Sequence, residues 1–185
     1  MTITLTPEQI DKALPKVEQG LGQYLWLQKK IAGQGTFHQD AEFRRKYNHF
    51  YRVRRGSAWQ YEYYGLMARA KKEQLQFHTV LDLLRQATNR YEASFASKLI
   101  ATINPSAVVI DSIVLKNLGL RLPYAAARDR VAQICKLHQE LTLLFRVFLE
   151  TEAGKYLVAQ FKERYPSANI TEVKMLDLVL WQSRA

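Results

Sequence analysis

The stretch "NPSAVVIDSIVLKNLGL", residues 104–120, decides how the chain is read. Pro105 stops any preceding helix, because a proline pushes the residue before it toward extended backbone. Val108-Val109-Ile110 is an apolar run of extended character, too short and solitary to build a sheet. Asp111 follows it. A carboxylate there suits the N-cap position, where it accepts a backbone N–H from residue 113 or 114 and meets the positive end of the helix. A short helix is predicted over 112–118, closed by Gly119 at the position after the C-cap that favours left-handed backbone. The open question is whether Asp111 only starts a helix or holds a carboxylate at the helix mouth for chemistry.

Helical periodicity dominates on both sides of this stretch. "TPEQ" at 6–9 reads as a helix start, with Thr6 as N-cap, Pro7 in the first position and Gln9 reaching back. That helix runs toward Ala32 with a bend near Pro15. The glycine pair at 33–35 ends it and marks a boundary between an N-terminal helical extension, 1–35, and a main helical domain, 36–185. Helices are predicted over 39–51, 57–72, 75–88 and 92–103. The longest is expected to begin near Pro123. Its stripe is Tyr124, Ala127, Val131, Ile134, Leu137, Leu141, Leu144 and Phe148, at intervals of three and four. A shorter one covers 152–164, and Asn169 with Glu172 forms a capping-box pattern for the last, through Trp181. No alternating strand pattern of useful length is present, so the predicted fold class is all-α.

The apolar fraction of 48% supports a packed core. The charge balance is basic, with 27 Lys and Arg against 17 Asp and Glu, a formal +10. A phosphate-rich partner is the leading physical explanation, and a merely basic, solubilising surface is the other. The single cysteine, Cys135, excludes an intrachain disulfide and a cysteine-ligated iron–sulfur cluster, and suits a reducing compartment. The N-terminus carries no signal-peptide pattern and no window is long and apolar enough for a bilayer, so a cytoplasmic location without membrane contact is expected.

Residues 41–72 concentrate positive charge: nine Lys and Arg against Glu42 and Glu62. Phe43, Tyr47, Phe50, Tyr51, Trp59, Tyr61, Tyr63 and Tyr64 interleave with them. The rings read either as a core face at helical spacing or as platforms for stacking on bases. Arg52, Arg54 and Arg55 straddle an inter-helix turn at Gly56, and turns carry function more readily than helix faces. These three are candidate phosphate contacts.

The string Val109-Ile110-Asp111-Ser112, with Val114, Lys116 and Leu118-Gly119-Leu120, resembles a segment of the helix-hairpin-helix DNA glycosylase superfamily. The resemblance covers about 75–122 and takes in the upstream helix "EASFASKLIATIN". It implies an orthogonal multi-helix globule and double-stranded DNA as partner. It places Asp111 at the catalytic aspartate position, acting on a base flipped out of the duplex. It also sets Arg90, Ser94, Ser97 and Lys98 near the nucleic acid. Where the family carries its glycine-rich hairpin, this chain has Ala87-Thr88-Asn89-Arg90-Tyr91, in which Asn89 can supply one left-handed residue. The lyase lysine position falls near Glu92 or Ala93, so an active enzyme would be monofunctional.

The four histidines and Cys135 show no metal-ligand spacing, and no phosphate-cradling or nucleophile-elbow motif is present. No cofactor or metal is expected. Asp177 is expected in a surface or interhelical ion pair with a nearby Lys or Arg. Two further readings stay open: a non-catalytic binding module on the same scaffold, and a protein-interaction module.

Overall fold

The computed structural model describes residues 2–33 and 36–183, so Gln34 and Gly35 of the expected boundary lie outside the described residues. Among the described residues there are ten α-helices, one 3-10 turn and no strand. The chain is all-α. It divides into two compact units, one of residues 1–21 and 105–185, the other of residues 22–104.

In the first unit, Thr6 starts helix α1 (Pro7–Ala13). Its hydroxyl accepts from the Gln9 N–H at 3.3 Å, and the Gln9 side chain accepts from the Thr6 N–H at 3.0 Å. Pro15 sits in a 3-10 turn (Leu14–Val17) that leads into α2 (Glu18–Ala32), which explains the expected bend. The later helices of this unit are α7 (Ser112–Asn117), α8 (Arg130–Leu149), α9 (Glu152–Arg164) and α10 (Glu172–Gln182). Tyr165 donates to the Leu14 carbonyl at 2.8 Å and ties the end of α9 to the 3-10 turn.

The helices predicted from 39 and 75 start two residues later, at Ala41 and Phe77, and two further starts differ for identifiable reasons. Helix α8 starts at Arg130, not near Pro123, because Asp129 takes left-handed backbone (φ 53°) that a right-handed helix cannot contain. Tyr124, expected in the buried stripe, is therefore outside the helix and 68% exposed, and the buried face is Ile134, Leu137, Leu141, Phe145 and Phe148. Helix α10 is capped by Thr171 rather than by Asn169. The Thr171 hydroxyl accepts from the Lys174 N–H at 3.2 Å and donates to the Pro105 carbonyl at 2.6 Å, a long-range bond that sets the helix start. Asp177 pairs with a lysine, but within its own helix rather than at the surface or between helices. Lys174, one turn earlier on the same helix, lies 2.6 Å away, and both residues are buried.

The second unit holds the rest of α2 with α3 (Ala41–Tyr51), α4 (Ser57–Glu73), α5 (Phe77–Thr88) and α6 (Ala93–Ile103). Helices α4, α5 and α6 pack on one another. The rings of the basic segment settle inside: Phe43, Tyr47, Tyr51, Tyr63 and Tyr64 are buried and meet edge-on or tilted. Phe50 and Trp59 are half-buried, and Tyr61 is 75% exposed.

Candidate functional site

Helix α3 ends at Arg52, whose left-handed backbone (φ 54°) lets its N–H close on the Asn48 and His49 carbonyls. The N–H of buried Val53 bonds the Asn48 carbonyl at 2.9 Å, which pins the turn. Gln60 closes it from α4, donating to the Arg55 carbonyl at 2.6 Å and accepting from Asn48 at 2.9 Å. The side chains of Arg52 and Arg54 are exposed on this fixed turn.

Arg55 is used differently. Its Nη2 lies 3.0 and 3.1 Å from the two carboxylate oxygens of Glu92, and its guanidinium lies beside the rings of Phe95 and Trp59. Glu92 is only 7% exposed and is the N-cap residue of α6. A buried carboxylate is costly unless paired, and Arg55 supplies the charge. The pair fastens the α3–α4 turn to the α5–α6 turn. Asn89 in the latter is left-handed (φ 53°), as its sequence position suggests, and Arg90 beside it is exposed. The structure thus brings Arg52, Arg54 and Arg90 onto two turns joined by one ion pair.

The other expected contacts in this unit face inward. Ser97 is fully buried, and its hydroxyl donates to the Ser94 carbonyl at 2.9 Å. Lys98 is buried, with its ammonium 3.4 Å from the Tyr51 carbonyl and near the Tyr51 and Phe95 rings. Neither side chain is presented to solvent, because the small-residue face of α6 is its packing face. Ser94 is half-buried. The same unit also carries a cleft of about 600 Å³, lined in part by His38, Arg44, Tyr61, Glu62 and Arg69. The sequence reading missed this cleft. The sequence does not mark it, because Tyr61 stands in the same aromatic run as the buried Tyr63 and Tyr64.

Asp111 belongs to the other unit. Val108, Val109 and Ile110 are buried and extended, and Asp111 keeps extended backbone (φ −117°, ψ 142°) as the N-cap of α7. Its Oδ1 accepts from the Ile113 N–H at 2.9 Å, as expected of a cap. Gly119 takes φ +65° at the far end of the helix, and the Leu120 N–H reaches the Leu115 carbonyl at 2.8 Å. His138 of α8 braces the extended run: its Nε2 lies 3.3 Å from the Val108 carbonyl, and since a carbonyl only accepts, Nε2 carries the proton. Burial holds this imidazole below the ordinary histidine range, against the opposing pull of the Val108 carbonyl.

Comparison with protein-family models, with curated proteins and with solved structures gives no match. The helix-hairpin-helix resemblance rests on the residues quoted for it. Among the described residues no three His, Cys, Asp or Glu side chains gather as a metal would need, and no helix is long and apolar enough to cross a membrane.

Proposed function

We propose that this protein binds nucleic acid, with duplex DNA as the partner, through the paired turns of residues 52–55 and 89–92. The observation that supports this reading most is the Arg55–Glu92 ion pair. It neutralises the one acid at the junction and leaves Arg52, Arg54 and Arg90 exposed on rigid turns, in a chain of formal charge +10. Arginines held at the ends of helices can follow a phosphate backbone, and such contacts supply affinity without sequence preference.

Fluorescence anisotropy with a labelled duplex over a salt series tests this. Wild type is expected to bind with a steep negative dependence on salt. The triple variant Arg52→Ala, Arg54→Ala, Arg90→Ala is expected to weaken binding at least ~10-fold and to flatten the log–log salt slope by about 0.9 for each phosphate that is no longer neutralised. Unchanged affinity in the folded variant would remove this surface from the reading.

Base excision through Asp111 is the activity that the resemblance attaches to this scaffold. The position of Asp111, at the end of a buried extended run and at the mouth of a short helix, favours it. Asparagine caps a helix about as well as aspartate, so Asp111→Asn separates capping from chemistry. The expected result is release of a damaged or mismatched base by wild type and a loss of at least ~100-fold in Asp111→Asn, with the melting temperature nearly unchanged. Salt-dependent binding without turnover on any duplex of the panel would leave the non-catalytic binding module.

A further inference from the structure

The outward face of α8 carries a charge pattern that is symmetric about one residue. Lys136, Glu140, Leu143, Arg146 and the C-cap residue Glu150, which keeps right-handed backbone, are all exposed, and so is Val147. Lys136 and Glu150 stand seven residues either side of Leu143. Glu140 and Arg146 stand three residues either side. Each symmetric pair joins opposite charges. At about 100° per residue, all of these positions fall within roughly 60° of Leu143, on a single stripe. None of the four charges forms an ion pair within its own chain among the described residues. Leu143 and Val147, 50% and 48% exposed, lie in the middle of the stripe.

We infer that this face is a self-association surface, on which a second copy of the chain lays its own α8 antiparallel about a two-fold axis at Leu143. An isologous contact requires a self-complementary patch: whatever residue i meets on the partner must in turn meet i. A helix with charges reversed about its own centre has that property. In the antiparallel pair Leu143 meets its counterpart on the axis. Lys136 lies opposite Glu150 of the second copy at both ends of the seam, while Glu140 and Arg146, about 60° to either side of Leu143, lie on opposite flanks and do not meet. Val147 flanks the Leu143 contact. A parallel arrangement would set each charge against its own kind and is excluded by repulsion. A seam of one helix from each copy is small, so the dimer is weak and its charges set register and orientation more than affinity.

Sedimentation velocity on the full chain, from about 10 µM to about 1 mM, reads this directly. Wild type is expected to dimerise within that range, and less so as salt is raised. Lys136→Glu and Glu150→Lys each turn two attractive contacts of the dimer into repulsive ones, and each is expected to weaken association about 10-fold or more. The double variant Lys136→Glu, Glu150→Lys restores the complementarity and is expected to return to within about 3-fold of wild type. Both positions are exposed and the new residues are good helix formers, so the fold is expected to persist by circular dichroism. A chain that stays monomeric up to about 1 mM overturns the inference. So does a dimer that ignores the single reversals, or one that the double reversal fails to rescue.

Discussion

Gly154→Ala is expected to destabilise the protein by about 3 kcal/mol or more, a loss of roughly 6–12 °C in Tm. Gly154 sits in the first turn of α9, where the chain reverses after α8. A Cβ at this position would stand 2.1 Å from the Phe148 carbonyl oxygen, 2.7 Å from the Leu149 Cα and 2.9 Å from the Phe148 carbonyl carbon. All three are backbone atoms, so no side-chain rotation relieves the overlap. The corner is also fixed by Thr151, whose hydroxyl donates to that same Phe148 carbonyl at 2.6 Å and accepts from the Gly154 N–H at 3.1 Å. Alanine must therefore break this cap or move the end of α8. Gly65→Ala is the control. Gly65 lies inside α4 with nothing within 4 Å of an added Cβ, and alanine there is expected to stabilise by up to about 1 kcal/mol. Urea unfolding of both variants tests the contrast. Equal midpoints would mean that the α8–α9 corner is looser than described.

Alkaline conditions are expected to unfold the second unit steeply. Tyr47 and Tyr63 join hydroxyls at 2.7 Å with no exposure to solvent. Tyr63 spends its one proton on the Phe95 carbonyl at 2.9 Å, so Tyr47 is the donor between them. Tyr64 donates to the Asn48 side chain at 2.7 Å. Burial pushes all three phenols above the ordinary tyrosine range. A group whose pKa is raised by folding gives stability that is intact below its unfolded value and is lost as pH rises past it. For tyrosine that window opens near pH ~10. Each phenol that ionises only on unfolding contributes about 1.4 kcal/mol per pH unit, so three approach roughly 4 kcal/mol per unit. Phenolate absorbance followed together with the helical circular dichroism signal from about pH 8 to 12 reads this. The expected result is that part of the phenolate signal appears only as the helices melt. The double variant Tyr47→Phe, Tyr63→Phe is expected to reduce the slope toward that of one phenol. Complete phenolate formation with the helices intact would contradict the burial of this cluster.

What the sequence determined by itself is what is decided within about four residues. The Thr6–Gln9 capping box, the cap at Asp111, the left-handed Asn89 and Gly119, and the bend at Pro15 all follow from local hydrogen bonds and backbone sterics. The all-α class follows from the same short periodicity. Where a distant group intervenes, the local reading shifts. Thr171 outcompetes Asn169 as a cap because its hydroxyl also reaches the Pro105 carbonyl, 66 residues away. Tertiary structure alone decided which of the candidate cations face water. Arg55 and Lys98 resemble Arg54 and Arg90 in sequence, but Arg55 is drawn onto Glu92, 37 residues distant, and Lys98 is folded under Tyr51 and Phe95. The physical reason is desolvation. A charge keeps its water unless a partner from elsewhere in the chain replaces it, and periodicity along one helix carries no record of that partner.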